Sequence, residues 1–248
     1  MTVKNEFQKW AAGFSGCDGG DIGSPDRRSV WVCGIEWGGG HDLAALKENI
    51  QVDVNIPNSG YDECSVNLAY IFNRQTMKLL NAMQGGAVKD YVKMAENIRP
   101  FVKDSQGFFK LNLFPIAFKD TGHQRWLSDF TEVTGFASKA DYLAWCRHVR
   151  FAAMRNWVTE SKPRVIVCFG KTFISDFECA FVNGDTTFVR ETILNRELSW
   201  TRTLDDVLIA VCPFPVNRYG LNSDALLQSF GDRIGALMNG GKQDSYAV

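Results

Sequence analysis

Histidine is scarce in this chain: there are three in 248 residues, at positions 41, 123 and 148. No GxSxG elbow and no HExxH helix occurs, so serine–histidine hydrolase and zinc-protease chemistry lack their motifs. The seven cysteines (17, 33, 64, 146, 168, 179 and 212) show no CxxC spacing, which leaves a zinc or iron–sulfur site without support. Phe169-Gly170-Lys171-Thr172 lacks the upstream glycine of a phosphate-binding P-loop, so triphosphate hydrolysis is not expected. Net charge is −1, so no global basic signature of nucleic-acid binding exists and only a local basic face can serve such a partner. No run approaches the ~20 apolar residues of a membrane span. The stretch Met1-Thr2-Val3-Lys4-Asn5-Glu6 is polar, with no apolar segment of a secretion signal behind it. Cysteines without a pairing pattern add to this, and the expectation is a reducing, cytoplasmic setting with no membrane contact.

What is present is an ordinary globular composition, 45% hydrophobic and 22% charged, in a length that suits one large domain. Strand-like runs alternate with helical ones. Strands are expected at 29–34, 108–113 and 164–169, with antiparallel strands across 187–211. Helices are expected near 6–13, over 42–50 with Asp42 as N-cap, along 64–83 as one amphipathic rod, and over 87–98, 138–159 and 221–238. Cys17-Asp18-Gly19-Gly20-Asp21 reads as a loop, and 119–136 as a polar loop anchored by Trp126 and Phe130. Strands separated by helices predict a single three-layer α/β/α domain with a central, mainly parallel sheet, its core at about 29–238.

Four segments carry candidate chemistry. The strand Ser29–Cys33 empties into Gly34-Ile35-Glu36-Trp37-Gly38-Gly39-Gly40. Glycines let a ligand approach the backbone, and strand ends in such sheets face the ligand crevice. Glu36 there can polarise a water or stabilise a cation on a sugar, although a solvated loop glutamate is the commoner outcome. Leu111-Asn112-Leu113-Phe114-Pro115 ends an apolar strand in an amide, which has the donor and acceptor needed to read a base edge and can equally be a turn former. Val211-Cys212-Pro213-Phe214-Pro215-Val216-Asn217-Arg218-Tyr219 is a loop stiffened by two prolines. It carries Val216 as an apolar wedge with Asn217, Arg218 and Tyr219 beside it, or it is a plain strand-to-helix connection. Lys171, at the start of the helix after the 164–169 strand, can hold a backbone phosphate.

In this order the four segments resemble the uracil-DNA glycosylase superfamily. Its members place a glycine-containing G-Q-D-P-Y-H-type loop after the first core strand, then an L-L-L-N strand end, a strand followed by G-x-x-A, and an H-P-S-P-L-type loop. Here those read Gly34–Gly39, Leu111-Asn112, Val165–Lys171 and Cys212–Val216, over roughly residues 29 to 235. The resemblance implies a uracil-DNA glycosylase-like fold and an enzyme that flips a nucleotide out of DNA and cleaves its N-glycosidic bond. It implies no cofactor, DNA as partner, Glu36 as the water-activating carboxylate and Asn112 on the base edge. Val216 and Arg218 fall in the wedge loop, and Tyr70 or Phe72 stacks on the base.

The chain also departs from the family pattern. Cys212 stands where familiar members have a histidine that stabilises the departing base, which leaves Asn217 or Arg218 as substitute donors. Trp37 replaces a proline. Gly38 replaces a tyrosine that blocks C5 substituents in the strict uracil enzymes, which implies a pocket admitting a C5-modified pyrimidine, as in defence against phages with altered cytosines. The cysteines of the iron–sulfur branch are absent, so no metal cluster is expected. On the residues alone, a non-catalytic nucleic-acid module on the same fold and a nucleoside-processing α/β hydrolase remain open. A basic face of Lys171, Arg190, Arg196, Arg202 and Arg218 favours a nucleic-acid partner over a small nucleoside.

Overall fold

The computed structural model describes residues 3–36, 38, 40, 42–118, 126 and 128–240. Seven strands form one mixed sheet: β1 (Cys17–Gly20), β2 (Val30–Gly34), β3 (Phe108–Asn112), β4 (Val165–Phe169), β5 (Val189–Ile193), β6 (Arg196–Arg202) and β7 (Leu208–Cys212), in the order β1-β3-β2-β4-β7-β6-β5. The four central strands, β3, β2, β4 and β7, run parallel. β1, β6 and β5 join antiparallel at the margins. The hairpin between β5 and β6 turns on Leu194 and Asn195, both at positive φ (44° and 64°), as a two-residue turn with the twist of its strands requires.

All four central strands are buried along their whole length, which is why three read as unbroken apolar runs and β3 as one interrupted only by Lys110 and Asn112, and none as alternating. Helices cover both faces. One face packs Trp31, Cys33, Leu111, Ile166 and Cys168 against α1 (Asn5–Ala12), α7 (Lys139–Trp145), α8 (Phe151–Ser161) and α9 (Ile174–Phe181). The other packs Val30, Val32, Val167, Phe169 and Cys212 against α4 (Ile71–Met83), α5 (Tyr91–Ile98) and α10 (Asp224–Asn239). Helix α2 (Leu43–Ile50) starts at Asp42, whose carboxylate accepts from the Ala45 amide at 2.8 Å. Ser223 caps α10 in the same way.

Four expectations need correction. The rod over 64–83 is two helices, α3 (Cys64–Ala69) and α4, parted at Tyr70, which is extended (φ −89°, ψ 129°). Neither glycine nor proline marks the break. Arg74 makes it by donating to the carbonyls of Leu68 and Ala69 at 2.9 and 2.8 Å, satisfying the end of α3 from the side. Val66, within α3, and Tyr70, at the break, are exposed. The glycine-rich loop at 17–21 contributes β1, an edge strand whose register shifts between Cys17 and Gly19. The helix over 138–159 runs from α7 to α8 through a π-turn at Cys146–Arg150. Among the described residues of 119–136 lies α6 (Ser128–Thr134), and Trp126 and Phe130 pack against the core as expected.

Candidate functional site

The sequence-selected segments all reach one edge of the sheet. Because β2, β3, β4 and β7 are parallel, their C-terminal ends lie together, and the register places them level: Gly34 pairs with Asn112, Cys33 with Cys168, and Phe169 with Cys212. The chain passes from β2 to β3 on one side and then returns to β4 on the other. That reversal is the switch point at which open α/β sheets bind ligands. A cavity of about 520 Å³ lies elsewhere, near the ends of α4 and α10, lined by Gly85, Arg164, Asp232 and Asn239. No residue singled out for chemistry lines it, so the strand-end edge is the better candidate.

Asn112 is buried, and its amide is oriented by its surroundings. Nδ2 donates to the Gly16 carbonyl at 3.0 Å, and since a carbonyl only accepts, the amide cannot be the other way round. Oδ1 therefore faces β2, where it lies 2.3 Å from the position a Cβ would take on Gly34. Gly34 is required here for space. Gly34→Ala is expected to displace the amide and cost about 1–3 kcal/mol, read as a lower midpoint in urea; an unchanged midpoint would contradict this packing.

Glu36 does not sit as a solvated loop carboxylate. Its side chain is 7% exposed and its Oε2 lies 3.6 Å from Nζ of Lys139, which is 1% exposed. The same ammonium stands 3.7 Å from the centre of the Phe118 ring. Lys139 opens α7 behind the N-cap Ser138, a position where a helix dipole disfavours a cation. Burial adds a second cost, and the Glu36 carboxylate offsets both. Sequence reasoning missed Lys139, because a lysine in a first turn is ordinarily a surface residue.

Gly38 is exposed, and among the described residues a Cβ there would meet nothing within 4 Å. Trp37, Gly39 and His41 fall outside the described residues. Phe72 packs its ring edge-on to Phe169 at 5.4 Å and against Phe214 at 5.6 Å. It thereby spans the ends of β4 and β7 on the face that also carries Asn112. Tyr70 is exposed, with its ring 6.3 Å from that of Tyr61.

In the 212–219 loop, Val216 is half-buried, while Asn217, Arg218 and Tyr219 are exposed. The Asn217 side chain accepts from the Tyr219 amide at 3.1 Å, and the Arg218 guanidinium lies 5.7 Å from the Tyr219 ring. Cys212 is wholly buried, and burial pushes its thiol well above the ordinary cysteine range, so it stays protonated. Lys171 is exposed at the edge. Of the other basic residues grouped with it, Arg202 pairs with Asp206 at 2.6 Å and Arg196 donates to the Gly220 carbonyl at 3.2 Å, which leaves Lys171, Arg190 and Arg218 as the outward cations of that set.

Two further groups brace the edge. Arg150 is fully buried, and among the described residues no carboxylate forms a salt bridge with it. It donates to the carbonyls of Ala11, Gly13, Ser15, Asn112 and Leu113 and to the Ser15 hydroxyl. It thus ties the 11–16 segment, whose Gly16 holds the Asn112 amide, to the end of β3. Lys110 interrupts the apolar run of β3 and is also buried. Its Nζ lies 2.7 Å from Asp18 Oδ2, 2.8 Å from Asn73 Oδ1 and 3.3 Å from the Tyr61 hydroxyl. Burial lowers its basicity, but Asp18, and then Tyr61, raise it by more, so it is held above the ordinary lysine value. The interruption in the strand was the readable signal for Lys110; Arg150 carried none.

Among the described residues no group of three metal-ligating side chains occurs, and no helix is long and apolar enough to cross a membrane. No protein-family model matches the chain, and no curated protein matches it.

Proposed function

We propose that this protein is a DNA glycosylase with a uracil-DNA glycosylase-like, three-layer α/β/α fold, which flips a C5-modified pyrimidine and hydrolyses its N-glycosidic bond. The observation that carries the reading is the convergence of the four segments at one strand-end edge, with Gly34 level with Asn112 and Phe169 level with Cys212. An amide, a buried carboxylate on a glycine-rich turn and an aromatic wall there meet the needs of base release. Asn112 reads the base edge, with Oδ1 turned toward β2 as acceptor, and Phe72 or the exposed Tyr70 offers a stacking face. The lack of a side chain at Gly38, with no described residue within 4 Å of a Cβ placed there, suits a substituent at C5.

In the reaction, the C1′–N bond breaks and its electron pair leaves with the base. Water adds its oxygen to C1′ and passes its proton to Glu36, whose charge also stabilises the cationic sugar. Val216, Asn217, Arg218, Tyr219 and Lys171 contact the DNA around the flipped nucleotide. Modified pyrimidines as substrates fit a role in defence against phages that alter their cytosines.

One observation favours a second reading, a non-catalytic DNA-binding module: the Glu36 carboxylate is engaged by Lys139. Incubating the protein with duplexes bearing uracil, 5-hydroxymethylcytosine or glucosylated cytosine, then treating with alkali, separates the two. A glycosylase yields strand cleavage at one of these bases. Binding to those duplexes with no cleavage at any of them would favour the module.

A further inference from the structure

Base release leaves negative charge on the departing nitrogen, and the end of β7 offers little to stabilise it. The Cys212 thiol is buried and protonated. The donors of Asn217 and Arg218 are exposed, the latter beside the Tyr219 ring, where water and salt screen them. On the Asn112 face of the sheet there is, however, a buried cation two residues earlier in the same strand. We propose that Lys110, paired with Asp18, is the cation that stabilises the departing base. This inference rests on the glycosylase reading above.

Placement supports it. Residues 110 and 112 point to the same face of β3, about 7 Å apart along the strand. The pair is also oriented. Asp18 belongs to the edge strand β1, on the outer side of β3. The ammonium lies 5.2 Å from the centre of the Phe72 ring, which packs toward Phe169 and Phe214 on the inner side. The positive end of the pair therefore faces the switch point and the negative end faces away. Asp18 pairs with the ammonium and Asn73 and Tyr61 accept from it, so Lys110 acts through its field, and in a buried setting that field is weakly screened. As the C1′–N bond breaks and the electron pair moves onto the base, the growing anion is drawn by a charge already fixed in place, with no reorganisation needed.

The test is a leaving-group series in the full-length protein. Single-turnover base release is measured on duplexes with 5-fluorouracil, 5-hydroxymethyluracil and 5-hydroxymethylcytosine, whose bases differ in acidity. Lys110→Gln is expected to slow release by roughly tenfold to a hundredfold, most for the least acidic base, and Lys110→Arg to restore most of the rate. Asp18→Asn removes the carboxylate that keeps the buried ammonium charged, so it should also slow release, again most for the least acidic base. It carries the test if Lys110→Gln does not fold. Equal slowing across the series, in Lys110→Gln or in Asp18→Asn, overturns the proposal and leaves Lys110 a structural residue. If the unaltered protein releases none of these bases while binding their duplexes, the glycosylase reading falls and this role with it.

Discussion

Replacing Arg150 by methionine is expected to remove about 3–5 kcal/mol of stability, a large part of the ~5–15 kcal/mol that holds an ordinary domain together. The side chain is buried and bonded to six acceptors, five of them carbonyls from two separate segments. A methionine fills much of the volume but donates nothing, and each carbonyl left dry costs about 1–3 kcal/mol unless water reaches it. The segment 11–16 and the end of β3 would then part. Because Gly16 holds the Asn112 amide, a disordered amide should accompany the lower midpoint in a urea titration. A loss below about 1 kcal/mol would show that these bonds exchange freely with water and that Arg150 braces nothing.

The second large effect is expected at Glu36. Glu36→Gln keeps the shape but cannot take a proton from water or balance a cationic sugar, and base release should fall by roughly a hundredfold to a thousandfold. The change also leaves the Lys139 ammonium facing a neutral amide, so part of any loss can come from a disturbed turn. Two controls separate these effects. Affinity for a modified duplex should hold within about threefold, because a residue acting only at bond cleavage contributes little to ground-state binding. Lys139→Met with Glu36→Gln should recover stability relative to Glu36→Gln alone, since replacing both ends of a buried pair is milder than breaking it. Equal rates for the parent and Glu36→Gln would remove Glu36 from the reaction.

The four central strands were readable because each is a mostly apolar run with a turn signal at its end; their parallel pairing then brings those ends level. The capping of α2 by Asp42 follows from side-chain chemistry within a few residues. The break at Tyr70 was not readable, since Arg74 makes it from four residues downstream where an arginine ordinarily faces water. β1 was hidden because Gly19 and Gly20 sit at positive φ (98° and 103°), a turn-like composition pressed into an edge strand. The site shows the same division. Glu36, Asn112 and Gly38 announce themselves by strand ends and missing side chains. Their supports, Lys139, Arg150 and the Asp18–Lys110 pair, come from distant segments, and only tertiary packing joins them.

The most direct measurement is of the free base. A duplex carrying 5-hydroxymethylcytosine or its glucosylated form is incubated with the protein, and the small-molecule fraction is analysed by mass. Release of the intact modified base, matched one to one by abasic sites and lost with Glu36→Gln, is the predicted result. Duplex that stays whole while bound to the protein, with no base in solution from either of these or from uracil, would contradict it.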